Sequence, residues 1–428
     1  MERLRKFGHS TFSSLKTRNY RLYFIGQGIS LTGTWMQSIA LGLLVLKLTN
    51  SGTMLGLITA LQFLPILFFG SMSGFIVDRF PKQKILLATQ IAAGILALIL
   101  GILVGTHIVQ LWMVGVLAFC LGLVNMIDNP TRNTFVPEMV GKENMTNAIT
   151  LNSWEINLAR VIGPSIAGIL VATVGLALCF LLNALSYIAV IVVLFMINAR
   201  NLHPSPIISK EKGQIREGFA YVASNPLLKN TLIMLAIVGT LTYEFPVILP
   251  LVAQFTFHNL EAGYAGLTAA MGVGAVIGGL FSANRKITSP RILITASVFF
   301  GISMFAVAFS PTLLVAMFAM VLVGASSINF NSIGNVTLQL ESLPQMRGRV
   351  MSLWTVAFLG STPIGGPIIG WIGENIGPRF GLGIGGLAAF VAAGIGILTL
   401  KQNRQQHVPI SVEITNERTQ IRESQRIP

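Results

Sequence analysis

The sequence predicts an all-α membrane protein whose twelve transmembrane helices form two pseudo-symmetric bundles of six. Three observations lead to this fold class: recurrent apolar runs of about 20 residues, a low content of charge, and a motif that occurs once in each half. Of the 428 residues, 53% are hydrophobic and only 10% are charged, and the mean hydropathy is +0.72. Soluble domains carry about 25% charged residues. The composition therefore excludes a soluble globular domain.

The apolar runs fall into two groups of six, and each run is long enough to cross a hydrocarbon core. The first group comprises residues 21–47, 52–77, 84–105, 109–131, 146–173 and 177–198, and the second comprises 230–256, 262–284, 290–309, 312–338, 350–373 and 379–400.

These runs divide the chain into five segments. We predict an N-terminal segment at 1–20, a six-helix bundle at 21–198, a central loop at 199–229, a second bundle at 230–400 and a disordered tail at 401–428. Within the central loop, Ile215–Ala223 is predicted to form a short amphipathic helix on the membrane surface.

Basic residues explain the net charge of +14 without a nucleic acid partner. They cluster in the N-terminal segment and the even-numbered loops, whereas the odd-numbered loops carry little beyond Lys47 and Arg379. Cytoplasmic loops of membrane proteins are enriched in Lys and Arg. We therefore predict that both termini are cytoplasmic, as an even number of spans also requires, and that the chain contacts the lipid bilayer and no nucleic acid.

The two halves share a motif. Arg160-Val-Ile-Gly163-Pro164 in the fifth span matches Gly365-Gly366-Pro367 in the eleventh. Internal repeats around a central cavity are typical of alternating-access transporters. The repeat therefore favours a transporter.

No cofactor or metal site is predicted. Cys120 and Cys179 lie in apolar runs and offer neither a metal-binding spacing nor a disulfide framework. The 5 histidines lie in tails or connections, and the sequence contains no P-loop. A membrane-embedded enzyme, the alternative from a different functional class, therefore lacks the residues it would need.

The loop between the second and third spans carries a recognisable signature. It reads Gly74-Phe-Ile-Val-Asp78-Arg79-Phe-Pro81-Lys82-Gln-Lys84. This resembles the loop 2–3 motif of the major facilitator superfamily, with Pro81 where that superfamily usually has glycine. Proline also suits a tight turn, so the departure leaves the resemblance intact.

A second stretch resembles one branch of that superfamily, which includes the enterobactin exporter, macrolide efflux proteins and related transmembrane secretion effectors. It comprises Asp128-Asn-Pro130-Thr-Arg132, followed by Pro137-Glu138 and by Asn157-Leu-Ala-Arg160-Val-Ile-Gly163-Pro164. The resemblance spans about residues 15–400.

The resemblance implies a monomeric transporter of the bacterial inner membrane that exports a drug, siderophore or related metabolite by alternating access, in exchange for protons. An importer or facilitator and a lysolipid transporter of the same fold remain alternatives.

The resemblance further implies that Asp78 helps to hold one conformation closed. Asp128 is expected within reach of Arg79, Lys82 or Arg132, and we predict that these charges form a cytoplasmic gate that breaks and re-forms. A static ion pair that only fixes topology is the alternative. In the fifth span the resemblance implies an antiporter motif, whose residues are Asn157, Arg160, Gly163, Pro164 and Gly168. Generic packing of small residues between helices is the alternative there.

Glu155, Arg160 and Glu244 are the ionisable residues deepest in the predicted spans. An uncompensated charge at that depth is costly, so each side chain should face a cavity or a partner. Removal of a carboxyl group from water favours its protonated form. Glu155 and Glu244 are therefore candidates for proton coupling, and hydrogen bonding to a neighbouring helix is the alternative for both.

Other polar and aromatic side chains inside the apolar runs are candidates for the substrate cavity, with core packing as the alternative for each. They are Trp35, Gln37, Asn125, Asn183, Tyr187, Tyr243, Asn329, Asn331 and Asn335. Met36 and Phe63 could add an adaptable apolar surface.

Overall fold

The computed structural model describes residues 13–203, 214–283, 290–343, 345–358 and 360–406. In this part of the chain, twelve helices are long and apolar enough to cross a membrane, which confirms the twelve predicted spans. They are α1 Arg18–Thr49, α2 Gly52–Arg79, α3 Lys82–Gly105, α4 Leu111–Gly141, α5 Glu143–Thr173, α6 Leu176–Met196, α7 Pro226–Thr256, α8 Leu260–Ala283, α9 Pro290–Ala308, α10 Leu313–Glu341, α11 Arg347–Asn375 and α12 Pro378–Gln406.

Local sequence sets where several helices begin and end. Asn50 adopts the left-handed conformation (φ 50°) that often ends a helix, and the Ser51 side chain then accepts a hydrogen bond from the Met54 N–H at the start of α2. Asn225 caps the first turn of α7, ahead of Pro226. Gly141 (φ 71°) separates α4 from α5, a conformation that glycine adopts without steric cost.

Two helices are broken at membrane depth. α7 is interrupted after Leu241 and resumes at Phe245, while α11 is interrupted between Phe358 and Thr362. Proline follows each break at the start of the new helical segment, where the missing N–H does no harm. Irregular backbone inside a membrane is tolerated where protein buries it.

The helix contacts of the first half recur in the second with an offset of six helices. In the first half α1 contacts α5 and α6, α2 contacts α4, and α3 contacts α4 and α6. In the second half α7 contacts α11 and α12, α8 contacts α10, and α9 contacts α10 and α12. Between the halves, α2 packs on α11 and α5 packs on α8. A further helix, Gln214–Ser224, forms where the sequence predicts one and packs against α7 and α11.

The exterior of the bundle is apolar. Large side chains such as Ile169, Phe195 and Phe318 are 66–69% exposed within membrane-spanning helices. An apolar exterior incurs no hydrophobic penalty in contact with lipid, so association of the helices depends on close packing.

The contact between α8 and α10 shows how close that packing is. A Cβ atom placed on Gly274 would collide with the carbonyl oxygen of Val321, and one placed on Gly324 would collide with the carbonyl oxygen of Met271. By contrast, a Cβ on Gly279, also in α8, would meet nothing within 4 Å.

We predict that Gly274→Ala destabilises the protein by about 1–3 kcal/mol, the usual cost of overpacking. Gly279→Ala is the matched control. It should leave the free energy of unfolding unchanged or increase it, because alanine favours the helical conformation more than glycine does. Thermal unfolding of both variants in detergent checks this. Equal melting temperatures for the two variants would show that the α8–α10 contact is not tightly packed.

Candidate functional site

The bundle has two chemically different ends. The end where α1 begins carries Arg18, Arg79, Lys82 and Arg349, and we call it the basic end. The opposite end, where α1 ends at Thr49, is called the distal end. The two halves meet around a cavity between these ends.

Polar side chains join the two halves at the distal end. Lys47 at the end of α1 forms an ion pair with Glu261 at the start of α8, with 2.5 Å between Nζ and Oε1. The Gln254 amide of α7 donates a hydrogen bond of 2.6 Å to Oδ1 of Asn50. Both contacts link the first half to the second.

Glu374 at the end of α11 adds a third contact of this kind. Its Oε2 accepts hydrogen bonds from Ser51 Oγ at 2.7 Å, from the Thr53 N–H at 2.9 Å and from Thr53 Oγ1 at 2.5 Å. A carboxylate suits this position because the free N–H groups and the dipole of a helix N-terminus attract negative charge. We call these three contacts the distal latch.

Beneath the latch, the backbones of α2 and α11 touch. A Cβ atom on Gly56 would collide with the carbonyl oxygen of Gly366, and one on Gly52 would lie 2.7 Å from the carbonyl oxygen of Gly370. Small residues permit such close approach between membrane helices. We call this contact the glycine seam. Its α11 side is the motif that the sequence repeats in α5.

Glu244 lies directly behind the seam, at the break in α7. It is 1% exposed, and its Oε1 and Oε2 lie 2.8 Å and 3.5 Å from Cβ positions built on Gly365 and Gly366. Thr362 lies close enough to interact with it, yet neither oxygen meets hydrogen-bond geometry with any described residue. A carboxyl group therefore sits without a charged partner beside the joint between the halves.

Between the halves lies a cavity of about 150 Å³. Trp35 of α1, Arg160 of α5, and Tyr243 and Phe245 of α7 contribute to its wall. The Arg160 guanidinium carbon lies 4.7 Å from the centre of the Trp35 ring, a cation–π geometry. The Tyr243 hydroxyl donates a 2.5 Å hydrogen bond to the Ser327 carbonyl. Trp35 and Tyr243 thus lie at the cavity, and Arg160 joins them there.

Glycines of α5 make room for this arrangement. A Cβ on Gly163 would lie 2.6 Å from Cβ of Trp35, and a Cβ on Gly168 would lie 2.8 Å from Cβ of Ala265 in α8. Pro164 is buried and Asn157 is half-buried. The two glycines thus allow α1 and α8 to approach α5.

Glu155 occupies a different place. It is 5% exposed and lines a groove of about 450 Å³ between α1 and α5, beside Gly28. Its Oε1 has no hydrogen-bond partner among the described residues. Ile25, Ile29 and Trp154 at this groove are 45–58% exposed and apolar, so the rim of the groove is largely apolar.

At the basic end, Asp128 has its partners within the first half. Asp128 is 3% exposed; its Oδ2 pairs with Arg132 at 2.5 Å, and its Oδ1 accepts from Thr89 at 2.6 Å and from Gln90 at 2.8 Å. The gate hypothesis allowed an ion pair between Lys82 and Asp128, but the described residues do not form it.

Lys82 instead pairs with Glu138 in the extension of α4 beyond the predicted span. Arg349 of α11 pairs with Glu217 of the connecting helix at 2.6 Å. Pro81 and Lys84 are exposed at the start of α3, and Arg79 is exposed at the end of α2. The side chain of Asp78 and the surroundings of Gly74 lie outside the described part of the chain. The described contacts of Asp128 accordingly favour the static ion pair.

Three predicted cavity residues of the first half lie elsewhere. Gln37 accepts a 2.6 Å hydrogen bond from the Asn183 amide, and both side chains are buried between α1 and α6. Tyr187 is 6% exposed and packs on Ala93 and Ala97 of α3. Polar groups within an apolar bundle must be satisfied internally, and these side chains satisfy one another there. None of the three is among the residues that line the central cavity.

The three asparagines that are predicted cavity residues in the second half differ in their contacts. Asn329 donates to the carbonyl oxygens of Ala325 at 2.8 Å and Gly278 at 3.3 Å, which ties α10 to α8. Asn335 pairs with Gln339 one turn along α10. Asn331 keeps a buried Oδ1 without a partner among the described residues. Asn125 and Phe63 are half-buried, and Met36 is 4% exposed.

Comparisons with known proteins agree with this architecture. The profile of the transmembrane secretion effector family matches residues 9–418. The enterobactin exporter EntS of Escherichia coli O1:K1 is 25% identical over 401 residues, covering 91% of each chain. EntS of Citrobacter koseri is 25% identical over 411 residues, covering 93% of this chain and 95% of the relative.

Solved structures show the same fold. The POT family transporter PepTSo aligns with a TM-score of 0.73 at 13% identity, over 91% of this chain and 99% of its own. A bacterial homolog of the human lysosomal transporter Spinster, inward-facing and occupied, aligns with a TM-score of 0.67 at 14% identity, over 90% of this chain and 97% of its own.

The seam yields a prediction. Gly56→Val should force α2 and α11 apart and lengthen the distance between spin labels on Ile108→Cys and Phe309→Cys, two exposed distal positions outside the latch, with Cys120 and Cys179 replaced by alanine. Gly70→Val, also in α2, is the matched control, because a Cβ there meets only Ile66 at 3.7 Å. Electron–electron double resonance measures both distances. Unchanged distances in Gly56→Val would mean that the seam does not set the closure of the distal end.

Proposed function

This chain belongs to the transmembrane secretion effector family of the major facilitator superfamily, and from that premise we propose that it exports a small organic molecule in exchange for protons. The substrate is a drug, a siderophore or a related metabolite, and the membrane is the bacterial inner membrane. The observation that carries the proposal is a cavity between two similar halves that is closed at the distal end by contacts between the halves.

The direction of transport rests on the relatives and on charge. The curated relatives are named as exporters of enterobactin. The basic end carries the excess of Lys and Arg that marks the cytoplasmic side of membrane proteins. The distal latch then closes the periplasmic side, and the chain takes substrate from the cytoplasm. A single chain supplies both walls of the cavity, which favours a monomer.

The latch supports the proposal of alternating access. When Lys47–Glu261, Glu374 with α2, and Gln254–Asn50 separate, the distal end opens, and the basic end closes in compensation. Each contact is exposed and individually weak, so the latch as a whole can break and re-form within a transport cycle.

Glu244 is the residue best placed to couple this cycle to protons. An ionised carboxylate at its position lacks a charged partner, and a buried charge without one costs several kcal/mol. Protonated Glu244 therefore permits the seam to close, whereas ionised Glu244 opposes closure. A proton taken up from the periplasm closes the distal end, and its release to the cytoplasm, with substrate bound, reopens it. Glu155 is the second candidate proton carrier.

A second candidate function has its own observation. The groove at Glu155 lies between α1 and α5, has largely apolar walls and is large enough to admit an acyl chain. This favours a lysolipid transporter with lateral entry. Flux of fluorescent lysolipid in proteoliposomes, compared with flux of water-soluble substrates, separates the two functions.

We predict that Glu244→Gln uncouples transport. The amide cannot ionise, so the seam stays closed: efflux driven by a pH gradient in everted vesicles should fall to background. With Glu244 unchanged, the distance between spin labels at positions 108 and 309 should lengthen as the pH rises, because ionisation opposes closure; in Glu244→Gln it should not.

Glu341→Gln, an exposed change on α10, is the control for both measurements and should match the wild type. Gradient-driven efflux retained in Glu244→Gln, with the same pH response of the label distance, would exclude Glu244 as the coupling residue. Parallel measurements on Glu155→Gln test the second carrier.

The gate hypothesis at the loop between α2 and α3 has a separate test. Asp78→Asn should abolish efflux while membrane expression stays normal, because the proposed role of Asp78 is to hold one conformation. Asp78→Glu should restore part of the activity. Normal transport by Asp78→Asn would refute the gate.

A further inference from the structure

The central cavity carries a single charged side chain among the residues that line it, and that side chain is Arg160. The remaining wall is largely aromatic and aliphatic, with Trp35, Tyr243, Phe245 and Tyr264 among its residues. A guanidinium group in such surroundings has lost much of its hydration, which is unfavourable unless a partner replaces the water.

Arg160 has no such partner in the described residues. Its Nε is buried without a hydrogen-bond acceptor, and none of the ion pairs there includes it. Glu155 lies five positions earlier, about 140° around the helix, and lines the groove beside Gly28. Glu244 lies against Gly365 and Gly366 of α11. Stacking on Trp35 orients the guanidinium but leaves its N–H donors available.

The shape and chemistry of the cavity narrow the choice of ligand. A planar guanidinium fork binds carboxylates and similar anions with two parallel hydrogen bonds. Aromatic walls favour an aromatic ring, stacked or edge-on. The volume of about 150 Å³ matches that of an engineered apolar cavity that holds benzene, about 150 Å³. One substituted ring fits.

We propose that the cavity binds an anionic aromatic molecule, with its acidic group on Arg160 and its ring between Trp35 and Tyr243. A larger substrate would place one such ring here. This inference rests on the proposed export function, because it names the class of molecule that the cavity selects. The Tyr243 hydroxyl already donates to Ser327, so Tyr243 contributes its ring face and Arg160 alone supplies the charge.

Three ligands that share one ring test the proposal: salicylate, which is anionic; salicylamide, which is neutral; and 2-hydroxybenzylamine, which is cationic. Calorimetry on the full chain in nanodiscs should show salicylate binding about tenfold or more tighter than either analogue, as expected for a charge-assisted hydrogen bond in a desolvated site. Equal affinities for the three ligands, or tighter binding of 2-hydroxybenzylamine, would overturn the proposal from measurements on the wild-type protein alone.

Substitutions of Arg160 test whether this residue causes the preference for salicylate. Arg160→Gln should remove the preference for salicylate, and Arg160→Lys should keep part of it, because the charge remains while the fork is lost. Arg291→Gln, an exposed change at the start of α9, is the control and should behave as the wild type. Thermal unfolding confirms that each variant folds. An Arg160→Gln protein that folds and still prefers salicylate would contradict the assignment.

Flux in proteoliposomes separates this inference from the export function. Binding selective for salicylate, without flux of any ligand under a pH gradient, would refute export and leave the anion site standing. Flux of the neutral or cationic analogue at the rate of salicylate would refute the anion site and leave export standing.

Discussion

Direct contact between the backbones of α2 and α11 is the constraint on which the distal half of the structure depends. Gly56 and Gly366 lack the side chains that would separate the two helices. Since α2 and α11 belong to different halves, their approach brings Ser51 and Thr53 to Glu374 and closes the distal end. It also seals the region behind α11, where Glu244 is 1% exposed. The packing of two glycines thus determines both the conformation and the environment of a carboxyl group.

Charged groups inside the bundle divide into satisfied and unsatisfied ones. Asp128 has Arg132, Thr89 and Gln90 around its two oxygens, so its charge is compensated within the first half and stabilises that half. Glu244 and Arg160 each keep a buried polar atom without a partner among the described residues. Unpaired polar atoms in a membrane protein are expensive. We infer that function, rather than stability, retains them.

The sequence predicts the helices far better than it predicts what their side chains contact. Hydropathy over about 20 residues reports lipid exposure directly, and all twelve spans follow from it. The same signal cannot show which face of a helix a polar residue occupies. Gln37 and Asn183 therefore resembled cavity residues, although each satisfies the other. The Lys82–Glu138 pair escaped prediction because α4 continues to Gly141, past the end of its apolar run, and carries Glu138 back to α3.

The repeated motif shows how one sequence pattern serves two purposes. In α5, Gly163 lets α1 approach within the same half, and this approach brings Trp35 over Arg160. In α11, the matching Gly366 lets α2 approach from the opposite half, and Gly365 makes room for α7 and Glu244. Helix-packing glycines therefore shape the wall of the cavity in the first half and the closure of the distal end in the second. The asymmetry arises from the charged residue beside each glycine: Arg160 faces the cavity, whereas Glu244 lies behind the seam. Because Arg160 lines the cavity between the halves and Glu244 lies behind the contact that joins them, a movement that separates the halves changes the surroundings of both side chains.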